Sequence, residues 1–270
     1  MPATIKVRPK QSLGQNFLVD DNIARNIVRE LHLHPDDVVV EIGPGQGALT
    51  KHLAGRTKEL IAIEVDQRVV KDLRERFETA GVRILHQDFL EIDLKKLKQQ
   101  FKSKLRLVGN IPYHLTSPIL FRTFEERAAI QDCTIMVQRE VARRIAANPG
   151  TKEYGILSVF TKFYGVPKIL FTVSPNCFYP KPKVTSAVLN IRLHEKLSAE
   201  VNRQLFATVV KTTFGKRRKT LRNSLQYLPF EEDVVSRIIT GLIFSLDKRP
   251  EELSVEQFIQ LTQQIEQFVA

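Results

Sequence analysis

The sequence has no tryptophan, two cysteines and two methionines in 270 residues. The cysteines, Cys133 and Cys177, lie far apart with no CxxC pair. That excludes a disulfide-stapled fold and a zinc signature, and no metal is expected. No apolar stretch approaches the roughly 18 residues that a membrane-spanning helix needs. The opening MPATIKVRPKQSLGQ has no apolar core and does not read as a signal peptide. These absences predict a cytoplasmic protein with no membrane partner. Acid is also in short supply, with 41 Lys+Arg against 30 Asp+Glu and a net charge of +11. The remaining composition is ordinary, 43% hydrophobic and 26% charged, which excludes disorder and low complexity. The basic excess points to an anionic partner. By itself it does not separate RNA from DNA, or from plain solubility.

The excess is unevenly placed. Residues 1–184 hold 29 basic and 20 acidic side chains, whereas residues 185–270 hold 12 and 10. The second stretch still gathers Lys211, Lys216, Arg217, Arg218, Lys219 and Arg222 with no acid among them. A cluster of that kind beside the acidic stretch from Glu231 suggests a phosphate-facing edge, although a charge run alone is more simply a solvated helix face. A second cluster, Lys95 to Arg106, reads as the exposed face of a crossover helix. Arg139, Arg143 and Arg144 form a third. The clusters are expected to form at least two phosphate-facing patches that flank one crevice.

Short apolar runs alternate with helical patterns. Val38–Ile42, Leu60–Val65, Val82–His86, Leu105–Gly109 and Cys133–Val137 read as buried strands. Between them, Ala48 to Leu53, then Val69, Leu73 and Phe77, then Leu94, Leu97 and Phe101 carry helical spacing. This alternation predicts a mostly parallel sheet with helices on both faces. Two later runs, Lys168–Val173 and Val184–Leu193, are joined by the Pro-rich SPNCFYPKP, which cannot be a crossover helix. An antiparallel pair at the sheet edge follows. Beyond Glu195 only helices are expected. One carries Leu205, Val209 and Thr213 and is capped by Ser198. Another spans Lys219 to Leu228, and a third opens on a Ser254–Gln257 capping box. The expected domains are 1–195, an α/β unit, and 196–270, a helical one.

The first strand runs into Gly43-Pro44-Gly45-Gln46-Gly47. Glycines at such a turn let backbone approach a ligand closely. The dinucleotide pattern G-x-G-x-x-G is not met, because Ala48 or Thr50 stands at the third glycine position, which argues against a nicotinamide dehydrogenase. Pro44 also removes an N–H that a pyrophosphate would use. With Glu41 the run becomes E-x-G-x-G-x-G, the form found in S-adenosylmethionine enzymes. Glu64 ends the next strand, where a carboxylate can accept from both ribose hydroxyls. Gln87-Asp88 follows the third strand, where an acceptor can meet an adenine amino group. Each acid alone would read as a solvated carboxylate; at successive strand ends lining one crevice they read as a site.

After the fourth strand stands Asn110-Ile111-Pro112-Tyr113. An exocyclic adenine amine is a poor nucleophile because its lone pair is delocalised into the ring. An Asn side-chain oxygen and a backbone carbonyl can accept its two N–H bonds and favour a pyramidal nitrogen. Pro112 would stiffen the turn, and Tyr113 would offer a face for a flipped base. Methyl transfer would then be an in-line displacement driven by positioning and electrostatics, with no covalent intermediate and no dedicated base. Taken alone, an N-x-P-Y string is a loop turn.

Together these motifs resemble the rRNA adenine N6-dimethyltransferases: the bacterial KsgA/RsmA type, its eukaryotic relatives and the Erm resistance enzymes. The resemblance rests on QSLGQNFL near the start, EIGPGQGALT, Glu64, QDFL, NIPY, MVQREVA, Tyr154-Gly155 and F-x-P-x-P-K-V-x-S-A-V from Phe178. It implies a Rossmann-like class I methyltransferase: a seven-stranded, mostly parallel sheet with one antiparallel edge strand, followed by a small all-α domain. It implies S-adenosylmethionine as cofactor, enclosed by Asn16 and Leu18, contacted by the backbone of Gly43 and Gly45, and held by Glu64 and Asp88. Asn110, with Pro112, would lie between cofactor and target amine, and Tyr113 and Phe178 would sandwich the target base. Phe178 sits in a Pro-rich loop, where an exposed ring is expected. The run from Phe214 to Leu225 is similar to the C-terminal signature of the KsgA/RsmA type, which Erm enzymes usually lack. The implied substrate is a pair of adjacent adenosines in a hairpin loop near the 3′ end of 16S rRNA, each dimethylated, within the immature 30S subunit. The enzyme is expected to act as a monomer. An Erm-type enzyme acting on 23S rRNA, or a non-catalytic RNA-binding assembly factor, is the alternative.

Overall fold

The computed structural model describes residues 7–197 and 199–269. In chain order the elements are β1 (Phe17–Leu18), α1 (Asp21–Glu30), β2 (Val38–Ile42), α2 (Thr50–Leu53), β3 (Glu59–Glu64), α3 (Gln67–Phe77), β4 (Val82–His86), α4 (Leu94–Phe101), β5 (Leu105–Asn110), α5 (Thr116–Glu125), β6 (Ile130–Gln138) and α6 (Arg139–Ala146). Then follow α7 (Ile156–Tyr164), β7 (Gly165–Val173), β8 (Phe178–Tyr179), β9 (Ser186–Leu193), α8 (Arg203–Gly215), α9 (Leu221–Leu225), α10 (Glu232–Gly241) and α11 (Val255–Val269). Among the described residues no helix is long and apolar enough to cross a membrane.

Seven strands form one sheet in the order β4-β3-β2-β5-β6-β9-β7. The first five are mutually parallel, as their continuous apolar runs predict, and every residue of β2 is buried. The antiparallel strand is β9, one place in from the edge, and β7 pairs with its outer side. The expected antiparallel edge is therefore a pair, in which the outermost strand runs with the parallel set. The order reverses at β2 and β5, so the crevice at their C-terminal ends is the switch point where α/β sheets bind ligands.

Local chemistry explains the helix starts. Asp20 caps α1 by accepting from the amides of Asn22 and Ile23, and Asp66 and Asp93 do the same for α3 and α4. Along α3, Val69, Val70, Leu73 and Phe77 face the core, which matches the helical spacing.

The chain divides into two compact units. One takes the chain up to Ala142 together with Gly165–Glu195; the other takes Arg143–Tyr164 and the chain from Lys196 onward. The expected boundary after Glu195 is one of three crossings, because residues 143–164 group with the helices. The reason is aromatic packing. Phe163 stacks on Phe206 with ring centroids 4.4 Å apart, and Phe160 meets Phe206 edge-on at 5.8 Å. Within this helical unit, α8 is capped by Asn202, which accepts from the amides of Gln204 and Leu205. The expected cap, Ser198, lies outside the described residues. The helix expected from Lys219 to Leu228 is only the five residues of α9. The Ser254–Gln257 capping box forms in both directions, at 3.1 and 3.3 Å.

The lysine-rich stretch needs one correction. Lys95 and Lys96 are exposed on α4, but Arg106 is buried in β5. Its guanidinium meets Asp132 at 2.6 Å and Asp37 at 2.8 Å and donates to the carbonyl of Leu31. Burial opposes the charge, yet the bonds and charges of the two aspartates outweigh it and hold the Arg106 pKa above its usual value. Arg106 is thus a tie between α1 and the sheet.

Candidate active site

The crevice at the switch point is a cleft of the sheet unit. Its walls are Ser12 to Leu18, the glycine loop, the ends of β3 and β5, and the residues following β4. Including its open mouth it encloses about 1150 Å³, large enough for a nucleoside-sized ligand. Gly43, Gly45, Glu64, Asp88, Asn110, Pro112, Tyr113, Asn16 and Leu18 all line it. The sequence-predicted cofactor residues therefore converge from separate strands on one cleft.

The glycine loop is wound through left-handed backbone, with φ of +63° at Gly43 and +53° at Gly45. A Cβ on Gly45 would stand 2.9 Å from the Phe17 ring, so the N-terminal strand lies directly against the loop. The Gly45 amide donates to Glu64 Oε2 at 3.2 Å, and Glu64 Oε1 accepts from the amides of Val65 and Asp66. Glu64 is buried, which pushes its carboxyl pKa up against those three donors. Asp88 is exposed; its Oδ1 caps the short turn Phe89–Glu91 and leaves Oδ2 free to accept.

Asn110 closes β5 and donates from Nδ2 to the Asn16 carbonyl at 2.9 Å. That bond fixes the amide orientation, because only the NH₂ group can meet a carbonyl. The amide oxygen is left as the acceptor. Beside it, the Ile111 carbonyl accepts no hydrogen bond among the described residues. The Pro112 carbonyl accepts from Leu115 and so anchors the turn. Tyr113 is half-buried and its hydroxyl lies 2.8 Å from Ser186 Oγ. Burial pushes the Tyr113 phenol up, so it stays neutral near pH 7.

Phe178 departs from expectation. It is buried, with 4% exposure, packs in the core cluster with Leu18, Val28 and Val173, and does not line the cleft. The exposed ring in the Pro-rich loop is its neighbour Tyr179. The cause is a backbone ladder: β8 pairs antiparallel with β1, Leu18 opposite Phe178 and Phe17 opposite Tyr179. Pairing turns alternate side chains inward and outward, and Phe178 takes the inner side. In this structure Phe178 anchors the N-terminal strand over the cleft.

A family model described as ribosomal RNA adenine dimethylase matches residues 7–267. The chain belongs to the ribosomal RNA adenine dimethylase family. A relative from Flavobacterium johnsoniae, named ribosomal RNA small subunit methyltransferase A, is 43% identical over 97% of both chains. One of the same name from Alkaliphilus metalliredigens is 38% identical over 96% of this chain and 93% of its own. Among solved structures, a dimethyladenosine transferase from Plasmodium falciparum is 22% identical with a TM-score of 0.78, covering 93% of this chain and 97% of its own. The 23S rRNA methyltransferase ErmE is 27% identical with a TM-score of 0.69, covering 93% and 100%. The fold is that of the class I methyltransferases.

Two features of this dimethylase were not legible beforehand. The first is the burial of the motif acid Glu41, which is in the wall of the cleft, 1% exposed, and accepts the Thr50 hydroxyl at 2.7 Å. Burial lifts its pKa from 4.5 to about 7, aided by the charge of Glu64. The native state thus holds a proton that the unfolded chain releases above its ordinary pKa. Stability from this group is fully present below pH 4.5 and is lost as pH rises to about 7. Glu41→Gln is expected to flatten that slope and to be more stable than the parent at pH 8, measured by chemical denaturation at pH 5 and pH 8.

The second is that the basic residues differ in freedom. Arg217 donates to the Lys152 carbonyl at 2.6 Å and lies 3.5 Å from Glu251, and Arg143 meets Glu153 at 3.4 Å. Lys216 and Lys219 cluster on the Tyr227 ring. Lys211 and Arg144 are exposed in the same unit. Arg218 and Arg222 are exposed with no side-chain partner among the described residues, and Arg139 is exposed in the sheet unit.

Proposed function

We propose that the chain transfers methyl groups from S-adenosylmethionine to N6 of two adjacent adenosines in a hairpin loop near the 3′ end of 16S rRNA. It would act as a monomer on the immature 30S subunit in the cytoplasm. The observation that carries this reading is the charge of the cleft. The protein has a net charge of +11, yet among the described residues no Lys or Arg lines the cleft, while the acids Glu64 and Asp88 do. Such a lining suits a cofactor that is cationic at sulfur and carries no phosphate, and it disfavours a nucleotide phosphate. The donor set therefore fits S-adenosylmethionine, with Glu64 and Asp88 as acceptors for ribose and adenine and with Asn16, Leu18, Gly43 and Gly45 around it.

When bound, the cofactor supplies an electrophilic methyl group. The chain's own residues do the rest. Asn110 Oδ1 and the Ile111 carbonyl accept hydrogen bonds from the amine N–H groups and direct the nitrogen lone pair out of the base plane. Pro112 keeps that carbonyl fixed, and the neutral Tyr113 ring offers a stacking face. The alkylated nitrogen is acidic enough to lose its proton afterwards, so no side chain is needed as base. The test is mass spectrometry of small-subunit rRNA incubated with the enzyme as undermethylated particles. N6,N6-dimethyladenosine is expected; its absence would overturn the reading.

The free cations give a second expectation. Arg218→Ala with Arg222→Ala should lower the slope of log affinity for rRNA against log salt by roughly 1.4 to 1.8 and leave cofactor binding unchanged. Arg217→Ala should instead cost stability of the helical unit. Filter binding across a salt series and thermal unfolding separate the two effects.

A further inference from the structure

We propose that the segment from Tyr179 to Thr185 seats the unpaired RNA nucleotide next to the target adenosine, with its base stacked on Tyr179 and its phosphates met by Lys181, Lys183 and Arg139. The inference rests on the rRNA reading above and adds a subsite to it.

Both ends of the segment are tied to the cleft. At one end Tyr179 pairs with Phe17 and Phe178 with Leu18, and both partners line the cleft. At the other, Ser186 lies 2.8 Å from the hydroxyl of Tyr113, which also lines it. The Thr185 carbonyl accepts from the amide of Arg139 at 2.9 Å, which brings the start of α6 to the same place. The segment is thus part of the cleft rim. Pro180 and Pro182 stiffen it.

Its side chains match a single strand. Tyr179 is 51% exposed, a large ring in water where its neighbour Phe178 is buried. Lys181 and Lys183 are exposed on either side of the buried Pro182. The side chains of both lysines and of Tyr179 make no hydrogen bond, ion pair or ring contact among the described residues. An open aromatic face followed closely by unpaired cations is the pattern by which proteins hold single-stranded nucleic acid: bases stack and phosphates are neutralised. The location selects the nucleotide. Once one of two adjacent adenosines enters the cleft, its neighbour is unstacked and lies at the rim.

The experiment measures methyl transfer to undermethylated small-subunit particles. Tyr179→Ala is expected to raise KM for the particle about 5- to 100-fold, with kcat and cofactor affinity near the parent values. Tyr179→Phe should restore KM to within about twofold, because stacking needs the ring and not the hydroxyl. Lys181→Ala with Lys183→Ala should raise KM and weaken its salt dependence. With p-benzoylphenylalanine in place of Tyr179, irradiation should give an adduct with rRNA. A parent-like KM for Tyr179→Ala, a Tyr179→Phe variant as impaired as Tyr179→Ala, or an adduct with a ribosomal protein instead of rRNA would each overturn the proposal. If the parent enzyme itself leaves the particles unmethylated, it is the rRNA reading that fails.

Discussion

Asn110→Ala is expected to reduce kcat for methyl transfer by roughly 10²- to 10³-fold, the usual cost of removing one preorganised polar contact to a reacting centre. The effect arises in two ways. The substitution removes the Oδ1 acceptor, and it removes the bond from Nδ2 to the Asn16 carbonyl that ties the N-terminal strand to the end of β5. Asn110→Asp separates them. It keeps an acceptor but cannot donate, and it sets a carboxylate against the Asn16 carbonyl. If positioning through Asn16 matters, both variants will lose cofactor affinity, and the alanine variant will lose more turnover because it lacks the acceptor as well. Single-turnover kinetics and calorimetric titration with S-adenosylmethionine read the two outcomes. An Asn110→Ala enzyme with near-normal kcat would sink the proposed role.

Arg106→Met is expected to destabilise the sheet unit by about 3–5 kcal/mol, because removing one partner of a buried ion pair leaves the other charge uncompensated. Asp132 and Asp37 would be stranded, and the carbonyl of Leu31 would lose its donor. The double variant Arg106→Met with Asp132→Leu should recover part of the loss, since replacing a whole buried pair by apolar groups is often near neutral. Urea denaturation of the three proteins measures both quantities. An Arg106→Met protein as stable as the parent would return the residue to the solvated face that the lysine-rich sequence suggests.

The contrast between these residues shows what the sequence discloses. Asn110 is legible because local signals surround it: an apolar run ends, a proline follows, and the residue must sit at a strand C-terminus. Glu64 and the glycine loop are legible for the same reason, and the parallel sheet follows from runs of Val, Ile and Leu too continuous for a one-sided surface. Arg106 is hidden because it continues a series of exposed lysines, and its partners, Asp37 and Asp132, are 69 and 26 residues away. Phe178 fails for a related reason. A Pro-rich loop gives no hint that two of its residues pair with Phe17 and Leu18, and that pairing alone decides that Phe178 turns in and Tyr179 out. The grouping of residues 143–164 with the helical unit depends on rings that meet across distant stretches of chain. Local periodicity fixes elements and caps; it does not report which charges and rings find partners far along the chain.

The floor and the cover of the cleft differ in how they are held. The floor belongs to a seven-stranded sheet, whereas the cover is held by a ladder of two residues between β1 and β8 and by scattered single bonds, among them Val19 amide to Cys177 carbonyl, Asn110 to Asn16 and Gln15 to Asp66. Local opening of so small a ladder costs far less than global unfolding. Two clocks therefore run in one site. The strap is expected to open more often than the sheet unfolds. Amide exchange at Leu18 and Val19 is therefore expected to run ahead of that at Val40 and Leu107.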